Sequence, residues 1–151
     1  MKIGALAAAT DTPVETIRYY ERERLLPEPA RTVGNYRVYA EAHAQQLAFI
    51  RRCRGLDMTL DEVRALLHFR DHPGPDCAGV NALLDEHIGH VTHRIAELRR
   101  LDKELRQLRA QCEVPGAADK CGILKELVTR PAKRRPAVAV HSQGSDLHRR
   151  R

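Results

Sequence analysis

Apolar residues recur at helical spacing along most of this chain, and the points where that spacing breaks divide it into elements. Residues 2–9 (KIGALAAA) read as a short apolar helix. Thr12-Pro13-Val14-Glu15 has the form of a capping box with proline at the first helical position, which predicts a second helix from Pro13 to about Arg24. The tight Thr10-Asp11-Thr12 connection makes the pair a helix-turn-helix. The period then changes. In RTVGNYRVY, Gly34-Asn35 stands between residues of high β propensity, so a small hairpin, a wing, is expected. Helical spacing returns over about 41–53, and a second capping box, Thr59-Leu60-Asp61-Glu62, opens a fourth helix at about 60–69. The segment RDHPGPD is a breaker-rich linker.

Beyond the linker, VNALLDEHIGHVTHRIAELRRLDKELRQLRAQ has no proline and one glycine. Leu84, Ile88, Val91, Ile95 and Leu98 follow a four-three step, and Leu101, Leu105, Leu108 and Cys112 resume it after one shortened step. That pattern is a coiled-coil seam. At about 1.5 Å per residue, Cys77 and Cys112 lie roughly 50 Å apart and cannot share a ligand within one subunit. In an antiparallel pair, Cys77 of one protomer meets Cys112 of its partner. Cys121 follows on the loop EVPGAADK, where Pro115 and Gly116 end the helix and turn the chain back. The expectation is a three-thiolate site completed across a homodimer, with a second copy at the other end. Residues 122–128 (GILKELV) form a short amphipathic turn.

The predicted fold class is therefore mainly α: an N-terminal winged helix-turn-helix with a small β-hairpin, then a long dimerisation helix in an antiparallel coiled coil. The expected organisation is a DNA-binding domain over 1–70, a linker at 71–79, the dimerisation helix at 80–112, a metal-binding loop and short helix at 113–128, and a basic disordered tail at 129–151.

Composition agrees with helices, since the 42% apolar content comes without tryptophan and with only two phenylalanines. The net charge of +6 is uneven: residues 1–129 carry 19 basic and 19 acidic side chains, and residues 130–151 carry 7 against 1. Within the body, residues 1–54 hold 9 basic against 6 acidic, which makes the N-terminal third the expected docking end for a polyanion. With no apolar run of eighteen residues and no signal peptide, a cytoplasmic location without membrane contact is expected. In that compartment cysteines stay reduced and serve as metal ligands or redox sensors.

The second helix carries ETIRYYER. Arginine near the start of a recognition helix reads guanine or grips phosphate, and tyrosine hydroxyls hold the backbone. Thr16, Arg18, Tyr19 and Tyr20 on this helix, with Asn35, Tyr36, Arg37 and Tyr39 on the wing, are the candidate contacts to double-stranded DNA. Ile17 and one of the two adjacent tyrosines belong to the core instead, because neighbouring helix positions face about 100° apart.

The succession IGALA, VETIRYYERERLLPEPAR and GNYRVY resembles the MerR family of dimeric transcriptional regulators across residues 1–70. DCAGVNALLDEHIGHV and CEVPGAADKCGIL resemble its lead- and cadmium-responsive branch, so the likeness extends to about residue 128. It implies a homodimer on a promoter operator whose flanking elements are spaced too far apart for RNA polymerase. The metal-free dimer represses; the metal-bound dimer bends and untwists the DNA and activates heavy-metal resistance genes, the deformation being offset by effector binding. The branch's sensing cysteines fall on Cys77, Cys112 and Cys121. Where some relatives carry a further cysteine before the recognition helix, this chain has Thr12. The eight-residue spacer between Cys112 and Cys121 is nearer the lead-type pattern.

Three thiolates select Pb(II), Cd(II), Zn(II) or Hg(II) over hard cations. Zn(II) wants a fourth ligand, whereas Pb(II), with its lone pair, accepts three sulfurs on one side. Cys53, between Arg52 and Arg54, reads as a small buried apolar residue. His87, His90 and His93 line one helix at three-residue spacing, and His87, His90, His141 and His148 are the candidates for a second metal site, against a reading as polar flanks of the seam. Two rivals remain: a thiol redox sensor with a Cys112–Cys121 disulfide, and a metal-sequestering protein without promoter function. No nucleotide loop, nucleophile–base pair or HExxH points to an enzyme.

Overall fold

The computed structural model describes residues 1–132, which fall into two compact units, 1–76 and 77–132. The basic tail beyond residue 132, with the candidate ligands His141 and His148, lies outside the described residues.

The first unit opens with α1 (Ile3–Thr10), which ends where Asp11 takes a left-handed φ of 47°. Aspartate tolerates that conformation better than most residues. The chain turns there, and the Thr12 N–H donates to Ala7 O at 3.0 Å. Helix α2 (Val14–Arg22) starts one residue later than expected and without the capping box, because Pro13 itself is the N-cap. Thr12 is buried and spends its hydroxyl on Thr10 O (3.0 Å) instead. The helix also ends two residues early, since Arg24 adopts φ 56° and the Leu25 N–H folds back to Tyr20 O (2.9 Å).

Strands β1 (Ala30–Arg31) and β2 (Arg37–Val38) form the antiparallel wing, with Ala30 opposite Val38 and Arg31 opposite Arg37. Asn35 takes φ 63° at the tip, and Thr32 N–H donates to Tyr36 O (2.9 Å). The hairpin is thus where Gly34-Asn35 places it, the left-handed residue being the asparagine.

Helices α3 (Glu41–Gly55) and α4 (Leu60–Asp71) complete the unit. Here the second capping box forms in full: Glu62 N–H donates to Thr59 Oγ1 and Thr59 N–H donates to Glu62 Oε1, both at 3.1 Å. Leu6, Ile17, Leu25, Leu47, Ile50 and Val63 are wholly buried, so every helix of the unit contributes to one core. At roughly 1.5–3 kcal/mol per side chain, that packing outweighs any single surface contact. Arg51 on α3 donates to Thr10 O and pairs with Asp11 (3.1 Å), which pins the α1–α2 turn. Arg64 on α4 holds Glu23 O and the Glu23 carboxylate, each at 2.9 Å, and so closes the C-terminus of α2.

The second unit is built on α5 (Ala78–Arg109), 32 residues and about 48 Å long. It begins two residues before the expected start and stops three short of Cys112. The last turn tightens, with Gln111 N–H donating to Leu108 O and Cys112 N–H to Arg109 O. A short 3-10 turn (Ala118–Lys120) leads to α6 (Gly122–Thr129). Among the described residues, every fully buried apolar side chain belongs to 1–76. On α5, Leu84, Ile88, Val91, Ile95, Leu98 and Leu105 are all exposed, Leu105 at 64%. No described helix is long and apolar enough to cross a membrane.

Candidate metal centre and nucleic-acid interface

Cys77 is the N-cap of α5 and its side chain is exposed, while Cys112 and Cys121 both lie at the far end of that helix. The chain therefore brings two of the three predicted thiols together and holds the third a helix length away. Two local features make the pair. The Arg109 guanidinium donates to Cys112 O (2.5 Å) and fixes the turn after α5. Gly122 then lies so close to the turn after α5 that a Cβ added there would sit 2.9 Å from Gln111 O. Only glycine fits this approach, and it seats Cys121 beside Cys112.

Electrostatics at Cys121 favour the thiolate. The N–H of Leu124 lowers its pKa most, with further help from the Ile123 N–H and the Cys112 thiol. Those two N–H groups belong to the first turn of α6, where backbone donors have no partner within the helix and are available to the sulfur. Cys112 donates its own S–H toward Val114 O (3.7 Å). Cys53, in contrast, is buried in the core, and burial pushes its thiol up. The donor set at the Cys112–Cys121 corner suits a soft cation that binds by displacing thiol protons.

On the other unit, Arg18 is exposed on α2, and Tyr19 lies beside it with the Arg22 guanidinium 5.9 Å from its ring centre. Thr16 is half-buried. On the wing, Asn35 accepts from Arg31 (2.9 Å), Tyr36 is exposed, and Arg37 faces the Glu21 carboxylate at 3.7 Å. Two expected contacts need correction. Tyr20 is the core member of the tyrosine pair, buried beside Arg54 and Arg51. Tyr39 is 1% exposed and commits its hydroxyl to Glu21 Oε1 at 2.5 Å, so neither ring is offered to a phosphate.

His87 is buried on α5, and His90 is half-buried with Glu86 4.0 Å from its Nε2. His93 faces Glu97 at 3.4 Å. Sequence reasoning missed three residues that shape these sites: Gly122, Arg109 and Glu21. The Cys-Gly step at a helix start was the only signal for the first; the other two act through folded contacts that no spacing encodes.

A family model for "MerR HTH family regulatory protein" matches residues 1–69, and one for "MerR, DNA binding" matches residues 44–108. The ZntR homolog of Haemophilus influenzae is 49% identical over 109 residues, which cover 72% of this chain and 81% of that protein. The chain belongs to the MerR family. Among solved structures of MerR proteins, PbrR691 from Ralstonia metallidurans CH34, in complex with lead(II), is 53% identical. It superposes with a TM-score of 0.75 over 84% of this chain and 98% of its own. MerR from Bacillus megaterium MB1, in complex with mercury(II), is 30% identical with a TM-score of 0.66 over 85% and 99%. Membership makes the chain a DNA-binding transcription regulator rather than an enzyme.

Proposed function

We propose that this MerR-family regulator senses a thiophilic cation, Pb(II) foremost and Cd(II) next, and switches transcription from a promoter it occupies as a homodimer. The observation that carries the reading is the Cys112–Cys121 thiol pair, set on a glycine-closed corner with Cys77 stranded at the opposite end of α5. An antiparallel partner would bring its own Cys77 to that corner. The exposed apolar row on α5 supports such a partner, because a surface of that size is otherwise left in water. The 53% identity to a regulator solved with lead(II) favours lead. Zn(II) and Hg(II) are weaker candidates, and His87 with His90 would serve only a second site.

In this reading residues 1–70 read the operator, through Thr16, Arg18, Tyr19, Asn35, Tyr36 and Arg37. Residues 80–112 dimerise, and 113–128 hold the effector. When bound, the metal supplies cross-linking charge between the two protomers' sulfurs. The resulting change in how the two DNA-binding units are held would distort the operator and realign the promoter for RNA polymerase. The protein would act in the cytoplasm.

Reporter induction across lead, cadmium, zinc and mercury tests the proposal. Cys77→Ser, Cys112→Ser and Cys121→Ser should each abolish induction while leaving operator binding in place. Full lead response in any one of them would overturn the site. Contact between the Cys112 and Cys121 thiols also favours a second reading, a disulfide redox sensor. Lead titration of the reduced protein separates the two, because only the metal reading predicts a sulfur-to-metal absorption band.

A further inference from the structure

We propose that Glu21 is a positioning residue that braces the wing onto the recognition helix, so that one carboxylate sets the geometry between Arg18 and Arg37. The proposal rests on the reading of those two arginines as DNA contacts. All four residues of strands β1 and β2 are exposed, and Val33 and Tyr36 at the turn are exposed as well. An isolated two-stranded hairpin has little stability of its own, so its direction depends on what ties it down.

The ties converge at its exit. Tyr39 is buried at 1% exposure, and its N–H donates to Met1 O (2.8 Å). Its hydroxyl donates to Glu21 Oε1 (2.5 Å), and the other carboxylate oxygen, Oε2, faces Arg37 Nε at 3.7 Å. The Glu21 side chain is only 14% exposed, and it stands three residues after Arg18 on α2, on the same face. Each carboxylate oxygen thus serves a different wing residue. Because the charged groups of the DNA face survive when this brace is cut, its loss should weaken specific recognition and leave general attraction to polyanion intact.

The test uses the full chain. A duplex site is enriched from a random pool by the unmodified protein, and affinities are measured for it and for an unrelated duplex of equal length. Tyr39→Phe, which keeps the buried ring, should lose about tenfold on the enriched site, the equivalent of one hydrogen bond to a charged group. Its affinity for the unrelated duplex should change by less than about twofold. Glu21→Leu should lose at least as much on the enriched site, and the double variant no more than Glu21→Leu alone, because the two residues act through one contact. Unchanged enriched-site affinity in Tyr39→Phe, equal losses on both duplexes, or additive losses in the double variant would overturn the brace. If Glu21→Leu does not fold, Tyr39→Phe alone decides. Failure of the unmodified protein to enrich any sequence would overturn the DNA-contact reading and the brace with it.

Discussion

Gly122 shows how a single missing Cβ decides what two cysteines can do. An alanine there would place a carbon 2.9 Å from the Gln111 carbonyl oxygen, a backbone atom that cannot swing away. The chain must then shift, and Cys121 leaves Cys112. Gly122→Ala should weaken lead binding by about tenfold, the scale seen when groups that orient metal ligands are disturbed. A chelator competition would measure it; parent-level affinity would refute the role. Tyr39 gives a second residue-scale prediction. Burial first, then the Glu21 carboxylate, raises its phenol from the usual value of 10.0 to about 12. The folded protein therefore keeps a proton that the unfolded chain loses, so this contribution to stability is complete below pH 10 and disappears as pH rises toward 12. Denaturant midpoints should fall across that window and fall less in Tyr39→Phe. Both tyrosines that proved to be core, Tyr20 and Tyr39, share their residue type with Tyr19, which is half-buried, and Tyr36, which is exposed; alternation says that one of an adjacent pair is buried, but only the fold says what a hydroxyl bonds to.

Elements were legible where their signals had no competitor. Thr59 and Glu62 satisfy each other's backbone N–H groups as the motif requires, and α4 starts where it should. Thr59→Ala should cost about 1 kcal/mol, read as a lower denaturant midpoint. The matching motif at Thr12 failed because Pro13 takes the cap position and the Thr12 hydroxyl finds Thr10 O first. The end of α5 was misplaced for a similar reason. The apolar period runs through Cys112, yet the Arg109 side chain captures Cys112 O and the last turn tightens into i→i+3 bonds. A periodic pattern reports which face is apolar and says nothing of local hydrogen bonds that stop the helix. The wing was read correctly, since Gly34-Asn35 left few alternatives.

For the whole molecule, the sequence carried the division into a DNA-binding unit and a long helical rod, because the breaker-rich linker separates two different apolar patterns. It also carried the apolar row of α5, of which Leu84, Ile88, Val91, Ile95, Leu98 and Leu105 stand exposed. The central claim is that three sulfurs from two protomers form one site. Mixing Cys77→Ser protomers with Cys112→Ser/Cys121→Ser protomers tests it most directly, with lead binding followed by sulfur-to-lead absorption. Neither homodimer should bind lead tightly, whereas the mixed population should recover one intact site per heterodimer. Tight binding by the Cys77→Ser homodimer, or no recovery once heterodimers have been shown to form, would contradict the account.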